Sequence, residues 1–348
     1  MNKTSNFKFQ ILNFAKALRP PRGMLGFGRC MSDLSISLLL LLIALPVYAN
    51  NEIARPTVIV AVGAPGEEEF AKEFTTWAQQ WQKAVETAEA KLVTIGLAPT
   101  NAATDLELLK NVITSEPTNS LAELWLVLIG HGTFDGQEAK FNLRGPDLAA
   151  TELADWLKPF RRPLVVINCA SASSVFLNKL SAPNRVVITA TRSGYEQNFA
   201  RFGKFMAEAI TSPEADLDKD GQTSVLEAFI MASRRTGEFY ETEGRLATEH
   251  ALLDDNGDGL GTPADFFRGI RAVKKPVSGG SVDGVRAHQI HLVRSAAEQQ
   301  LTPETRARRD ELEAAVAKLR DSKTQLSEAE YYRRLENLLR ELAQLYEQ

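Results

Sequence analysis

Five short apolar runs, separated by amphipathic stretches, constrain this chain more than any other feature. They occupy residues 56–62 (PTVIVAV), 91–97 (KLVTIGL), 124–129 (LWLVLI), 163–167 (PLVVI) and 185–189 (RVVIT). A strand wetted on one face alternates polar and apolar residues, whereas one covered on both faces is apolar throughout. The intervening segments read as helices. Residues 67–90 place Phe70, Phe74, Trp77, Trp81 and Val85 at steps of three and four, and residues 104–114 follow Thr104-Asp105. Buried strands alternating with such helices predict an α/β domain over 56–211, a three-layer αβα sandwich with a mainly parallel sheet.

Charge narrows the function. The 348 residues carry 40 Lys+Arg and 44 Asp+Glu, a formal net charge of −4. Residues 1–49 hold six basic residues against the single acid Asp33, so the remainder is more acidic still. A chain of that sign offers phosphate backbones no general grip, and no nucleic-acid partner is expected. The basic segment leads into residues 38–45 (LLLLLIAL) and then Pro46-Val-Tyr-Ala49, the pattern of a secretory signal cleaved after Ala49. Its apolar part is short for a bilayer span of ~20 residues. The mature protein is therefore expected to be exported, periplasmic or extracellular, with no stable membrane span. Of the two cysteines, Cys30 leaves with the signal and Cys169 remains, which excludes an internal disulfide.

In open α/β sheets the working residues collect past the carboxyl ends of the strands. The third run ends in Gly130-His131-Gly132 and the fourth in Asn168-Cys169-Ala170-Ser171. If these strands are neighbours, an imidazole can take the thiol proton, and a thiolate is the stronger nucleophile. Gly132 lets a backbone N–H come close to an oxyanion. The plainer reading makes Cys169 a small core residue and His131 a hydrogen-bonded structural group.

At these residues the sequence resembles the caspase–legumain clan of cysteine peptidases, whose pattern is an apolar strand ending in His-Gly, then another ending in the catalytic Cys. LWLVLIGHG and PLVVINCASAS match both blocks in order, and RVVITATRSG is similar to the strand that follows. The resemblance implies a caspase-like sandwich, a peptide or protein substrate, His131 as general base and acid, and Cys169 as nucleophile. It also implies the N–H groups of Gly132 and Cys169 as oxyanion donors. Ile167 stands where the clan places a polar or acidic residue, so the preference at the scissile bond stays open.

Calcium is the expected cofactor. Asp216, Asp218, Asp220, Gly221, Gln222, Ser224 and Glu227 satisfy the pattern D-x-D-x-D-G-x5-E at every position. Carboxylates at the first, third and fifth positions converge, Gln222 offers a carbonyl, Ser224 a hydroxyl or water, and Glu227 two oxygens. A second copy runs through Asp254, Asn256, Asp258, Gly259, Leu260, Thr262 and Asp265, with the shorter Asp265 in the last position. The region 212–272 is expected to be helical, either a compact EF-hand pair or one long helix with a loop at each end. His288 and His291 are read as structural, and His250 as a helix-surface residue.

Residues 273–300 read as a linker. Beyond it, 301–348 carries two amphipathic helices, the second opened by Ser327-Glu-Ala-Glu330, forming a hairpin or a self-association surface. The expected function is an exported, calcium-stabilised cysteine endopeptidase. The alternative is a non-catalytic calcium-binding interaction module of the same fold.

Overall fold

A computed structural model of the chain describes residues 55–99, 103–274 and 282–346. The expected signal at 1–49 and the centre of the expected linker, 275–281, lie outside the described residues. In chain order the elements are β1 (Thr57–Val62), α1 (Glu68–Thr87), β2 (Lys91–Ile95), α2 (Asp105–Ser115), β3 (Leu124–Ile129), β4 (Gly132–Phe134), β5 (Ala139–Phe141), β6 (Leu148–Ala149) and α3 (Ala150–Leu157). There follow β7 (Leu164–Asn168), α4 (Ser174–Leu180), β8 (Arg185–Thr189), α5 (Phe202–Ala209), α6 (Val225–Thr242), β9 (Leu252–Asp254) and β10 (Thr262–Pro263). The chain ends through β11 (Phe267–Arg268), β12 (Arg271–Ala272), α7 (Val285–Gln289), α8 (Ala296–Gln299), α9 (Pro303–Asp321) and α10 (Glu328–Leu345).

All five apolar runs are strands of one sheet, in the order β10-β9-β8-β7-β3-β1-β2. Its first five strands in sequence are parallel, and the β9–β10 hairpin adds an antiparallel edge beside β8. Successive side chains alternate between two cores. Val58, Val60, Trp125, Val127, Val165 and Ile167 pack with Trp77 and Trp81 of α1 and Phe229 of α6. Ile59, Leu126, Leu128 and Val166 pack with Leu109 of α2, Leu153 of α3 and Phe176 of α4. Both faces are thus covered, which is why the strands need no polar side, and the predicted three-layer sandwich is the observed one.

The sheet reaches further along the chain than 56–211, because its last two strands come from 252–263. The helix after the first acidic loop also stops early. Thr242 ends α6, Gly244 follows at φ 62°, and Leu246 is 90% exposed, so no long helix joins the loops. The C-terminal segment returns to the sandwich through an antiparallel bridge between Ser224 and His291. Beyond it, α9 and α10 form a hairpin closed by Leu312, Val316 and Leu342. No helix among the described residues is long and apolar enough to cross a membrane.

At the amino edge of the sheet one ion pair is buried. Arg162 donates from Nη1 to Glu116 Oε2 at 3.2 Å and from Nε and Nη2 to the carbonyls of Ala122 and Glu123. Lys91 and Thr57 also donate to Glu116, which fastens α2 to β1, β2 and the approach to β7.

Candidate functional site

The register of β3 against β7 pairs Leu128 with Asn168, so the segments past both strands emerge side by side at the carboxyl edge. His131 and Cys169 both turn toward the face covered by α1. Phe70 and Phe74 of that helix meet the His131 ring edge-on at 4.9 and 5.2 Å, with Phe199 at 5.7 Å. The imidazole Nε2 lies 3.2 Å from the carbonyl oxygen of Pro65, so the proton on that nitrogen points into the β1–α1 loop.

Cys169 has no solvent exposure and belongs to the apolar core under α1 and α5. Burial pushes its thiol well above the ordinary cysteine range, and the nearby Glu249 carboxylate adds to the shift. No hydrogen bond joins Cys169 to His131 among the described residues. The expected oxyanion donors are also engaged. The N–H of Cys169 donates to Leu128 O at 2.9 Å, and that of Gly132 to Ser171 Oγ at 3.2 Å. Ser171 returns its own proton to Gly132 O at 3.0 Å. Gly132 is needed here for contact: a Cβ at this position would sit 2.3 Å from Ser171 O. The dyad expected from sequence is therefore brought to one edge but not coupled. Its thiol is buried, and the expected donors are engaged by Leu128 and Ser171.

Sequence gave no sign of Glu249, 118 positions from His131 in a stretch without a motif. Its carboxylate, 4% exposed, accepts the N–H groups of Arg201 and Phe202 at the start of α5 and the Tyr240 hydroxyl. Burial raises its pKa despite these bonds. The neighbouring His250 is no helix-surface residue; its Nδ1 lies 2.6 Å from Glu196 Oε1, within the loop that follows β8.

The first acidic loop joins α5 to α6 as a helix–loop–helix. Asp216 accepts from the N–H groups of Asp220 and Gly221, Asp218 Oδ1 from Asp220, and Asp220 from Gln222. Ser224 caps α6 while Glu227 reaches back to its N–H. Lys219 and Gly221 take positive φ of 63° and 88°, the turn that lets the carboxylates converge. Oxygens of Asp216, Asp218 and Glu227 lie within 4.8 Å of one another. Burial raises the pKa of Glu227, and the neighbouring Asp218 carboxylate adds to the shift. A hard cation with oxygen ligands fits this donor set. The C-terminal segment touches the same loop, with His288 Nε2 at 3.2 Å from Asp218 Oδ2.

The second loop departs from the expected EF-hand copy. It is the turn of the β9–β10 hairpin, so neither a compact EF-hand pair nor a loop at the end of one long helix is formed. Asp254 accepts from Gly257 and Gly259, Asn256 from Asp258, and Asp258 from Leu260, much as in the first loop. The far half differs. Asp265 turns outward to Lys274 Nζ at 2.5 Å, and Thr262 donates to Asp283 at 2.6 Å. Among the described residues, no three acids of this loop gather at ligand distance; the short strand β10 intervenes, and Asp265, in the 3₁₀ turn Ala264–Phe266 that follows it, pairs with Lys274.

No family model and no curated protein matches the chain. Among solved structures it is similar to the Drosophila initiator caspase Dronc, at 14% identity over 69% of this chain and 94% of that one, with a TM-score of 0.38. It is also similar to caspase-1 from Spodoptera frugiperda, at 11% identity over 58% of this chain and 86% of that one, with a TM-score of 0.37. A protein from Geobacter sulfurreducens aligns at 12% identity over 57% and 92% of the two chains, with a TM-score of 0.35.

Proposed function

We propose that this chain is an exported, calcium-braced binding module on a caspase-like scaffold, and not a working peptidase. The observation that carries the reading is the state of Cys169. A nucleophile must be reachable and ionisable, whereas this thiol is sealed in the core, its pKa pushed up, with no bond to His131. Acyl transfer also needs N–H groups free to receive the oxyanion, and those of Gly132 and Cys169 are spent on Ser171 and Leu128.

Calcium belongs to the same proposal. Asp216, Asp218, Asp220 and Glu227 would supply carboxylates, Gln222 its carbonyl and Ser224 a hydroxyl or bridging water. The ion would supply positive charge to a loop whose Glu227 is buried, fixing the start of α6 against α5. Ligand occupancy at 100 times the dissociation constant is worth about 2.7 kcal/mol of stability.

The second reading is a cysteine peptidase in a closed state. It is favoured by one observation, that His131 and Cys169 share a sheet face at the ends of adjacent strands. One experiment separates the two. The calcium-loaded protein and its Cys169→Ala variant are screened with a fluorogenic peptide library and a thiol-directed covalent probe. Silence in both assays supports the binding module. Cleavage that the alanine variant loses establishes the peptidase.

A further inference from the structure

We propose that the cavity between the amino edge of the sheet and the C-terminal helices binds a small oxyanion, a carboxylate or a phosphate, through Arg286 and Arg306. The cavity has a volume of about 330 Å³ and lies at the opposite end of the strands from His131, between Glu123, Pro163 and Asn184 on one side and α7 and α9 on the other. That volume lies at the small end of ligand pockets and suits a small molecule.

Four arginines and the acids Glu123, Glu298, Asp310 and Glu311 line it, and two of the arginines are paired with acids. Arg294 pairs with Glu123 at 2.6 Å, while Arg309 pairs with Glu298 at 2.6 Å and with Asp310 at 2.7 Å. Arg286 and Arg306 differ. Neither forms an ion pair among the described residues, and the Arg286 guanidinium donates to no protein acceptor there, its Nε being fully buried. Arg306 spends only Nη1, on the carbonyls of Glu298 and Leu301 at 3.2 and 2.5 Å. Burial lowers the pKa of both, and at Arg306 the neighbouring Arg294 adds repulsion.

A partly buried guanidinium without a partner is costly, and an oxyanion meets its forked donors with charge-assisted bonds. The remaining acid nearest Arg309, Asp310, is itself bound to that arginine and is pushed up by burial to about 6. Asp255, Asp310 and Glu123 attract Arg286, and Glu298 and Glu123 attract Arg306, but among the described residues none of them lies within ion-pair distance of either guanidinium. The site is independent of the reading given for the carboxyl edge.

The test is calorimetric titration of the full chain, at fixed ionic strength in chloride without added calcium, with inorganic phosphate and separately with succinate. Saturable one-site heat with either anion is expected, and whichever binds names the ligand chemistry. Arg286→Gln and Arg306→Gln should each weaken binding at least tenfold. Arg340→Gln should not, because that side chain pairs with Glu336 and neither residue lines the cavity. If Arg286→Gln does not fold, Arg306→Gln decides. No saturable heat with either anion, or equal weakening by Arg340→Gln, overturns the proposal.

Discussion

Gly203 lies against Cys169 so closely that a methyl group at 203 would come within 2.7 Å of the cysteine Cβ and 3.0 Å of Trp77. The first turn of α5 is thus seated directly on the thiol. Glycine there does not serve backbone freedom; it makes room for a helix over the end of β7.

Replacing Gly203 with alanine should overpack this contact. The expected loss is about 1–3 kcal/mol, read as a lower urea midpoint with an unchanged slope. Serine at Cys169 would not relieve it, because the clash is with Cβ. A Gly203→Ala variant as stable as the parent would show that α5 can lift off the thiol.

The seal should also be visible to reagents. At pH 8 the native protein is expected to alkylate at Cys169 at least about a hundredfold more slowly than in urea, since both access and ionisation are withheld. Peptide mapping of the labelled site checks this. Rapid native labelling at Cys169 would contradict the buried position.

Glu249 gives a pH signature. Its folded pKa is raised above the unfolded carboxylate value of about 4.3. The folded state therefore holds the proton more tightly, and the contribution is complete below that value and lost as pH rises through the folded pKa. Melting temperature at fixed calcium should fall less steeply from about pH 4.5 upward in Glu249→Gln than in the parent. Parallel curves would remove Glu249 from the pH response.

Glu116→Gln tests the opposite case. Burial alone would raise this carboxyl, but the bonds from Lys91 and Thr57 and the charges of Lys91 and Arg162 hold it below its usual range. Its contribution is present above the unfolded pKa and disappears as pH falls through the lower folded one. Neutralising it leaves Arg162 buried without its counter-charge, at an expected cost of about 3–5 kcal/mol. Chemical denaturation at pH 7 measures that loss, and a cost under about 1 kcal/mol would mean that water reaches the pair.

The sheet was readable because a strand covered on both faces needs only apolar residues, as in LWLVLI and PLVVI. The hairpin at β9 and β10 was not. Leu252–Asp254 and Thr262–Pro263 are too short for periodicity, and the acids between them look like a repeat of the first loop. Sequence could bring His131 and Cys169 to one edge, but not see that Ser171 occupies the Gly132 N–H or that Pro65 holds the imidazole. Those bonds depend on turns whose geometry leaves little trace in residue type. Glu249 was hidden for the same reason, since its role comes from where α5 begins.

The two margins of the sheet are unequal in what they admit. On one side the outermost strand is β10, two residues long, and its second residue is a proline with no N–H to give. No further strand can lengthen the ladder there. On the other side β2 runs for five residues beside β1 and begins at the exposed Lys91. Of the two margins of this sheet, β2 is therefore the one that offers a ladder to another strand, past a charge that discourages it.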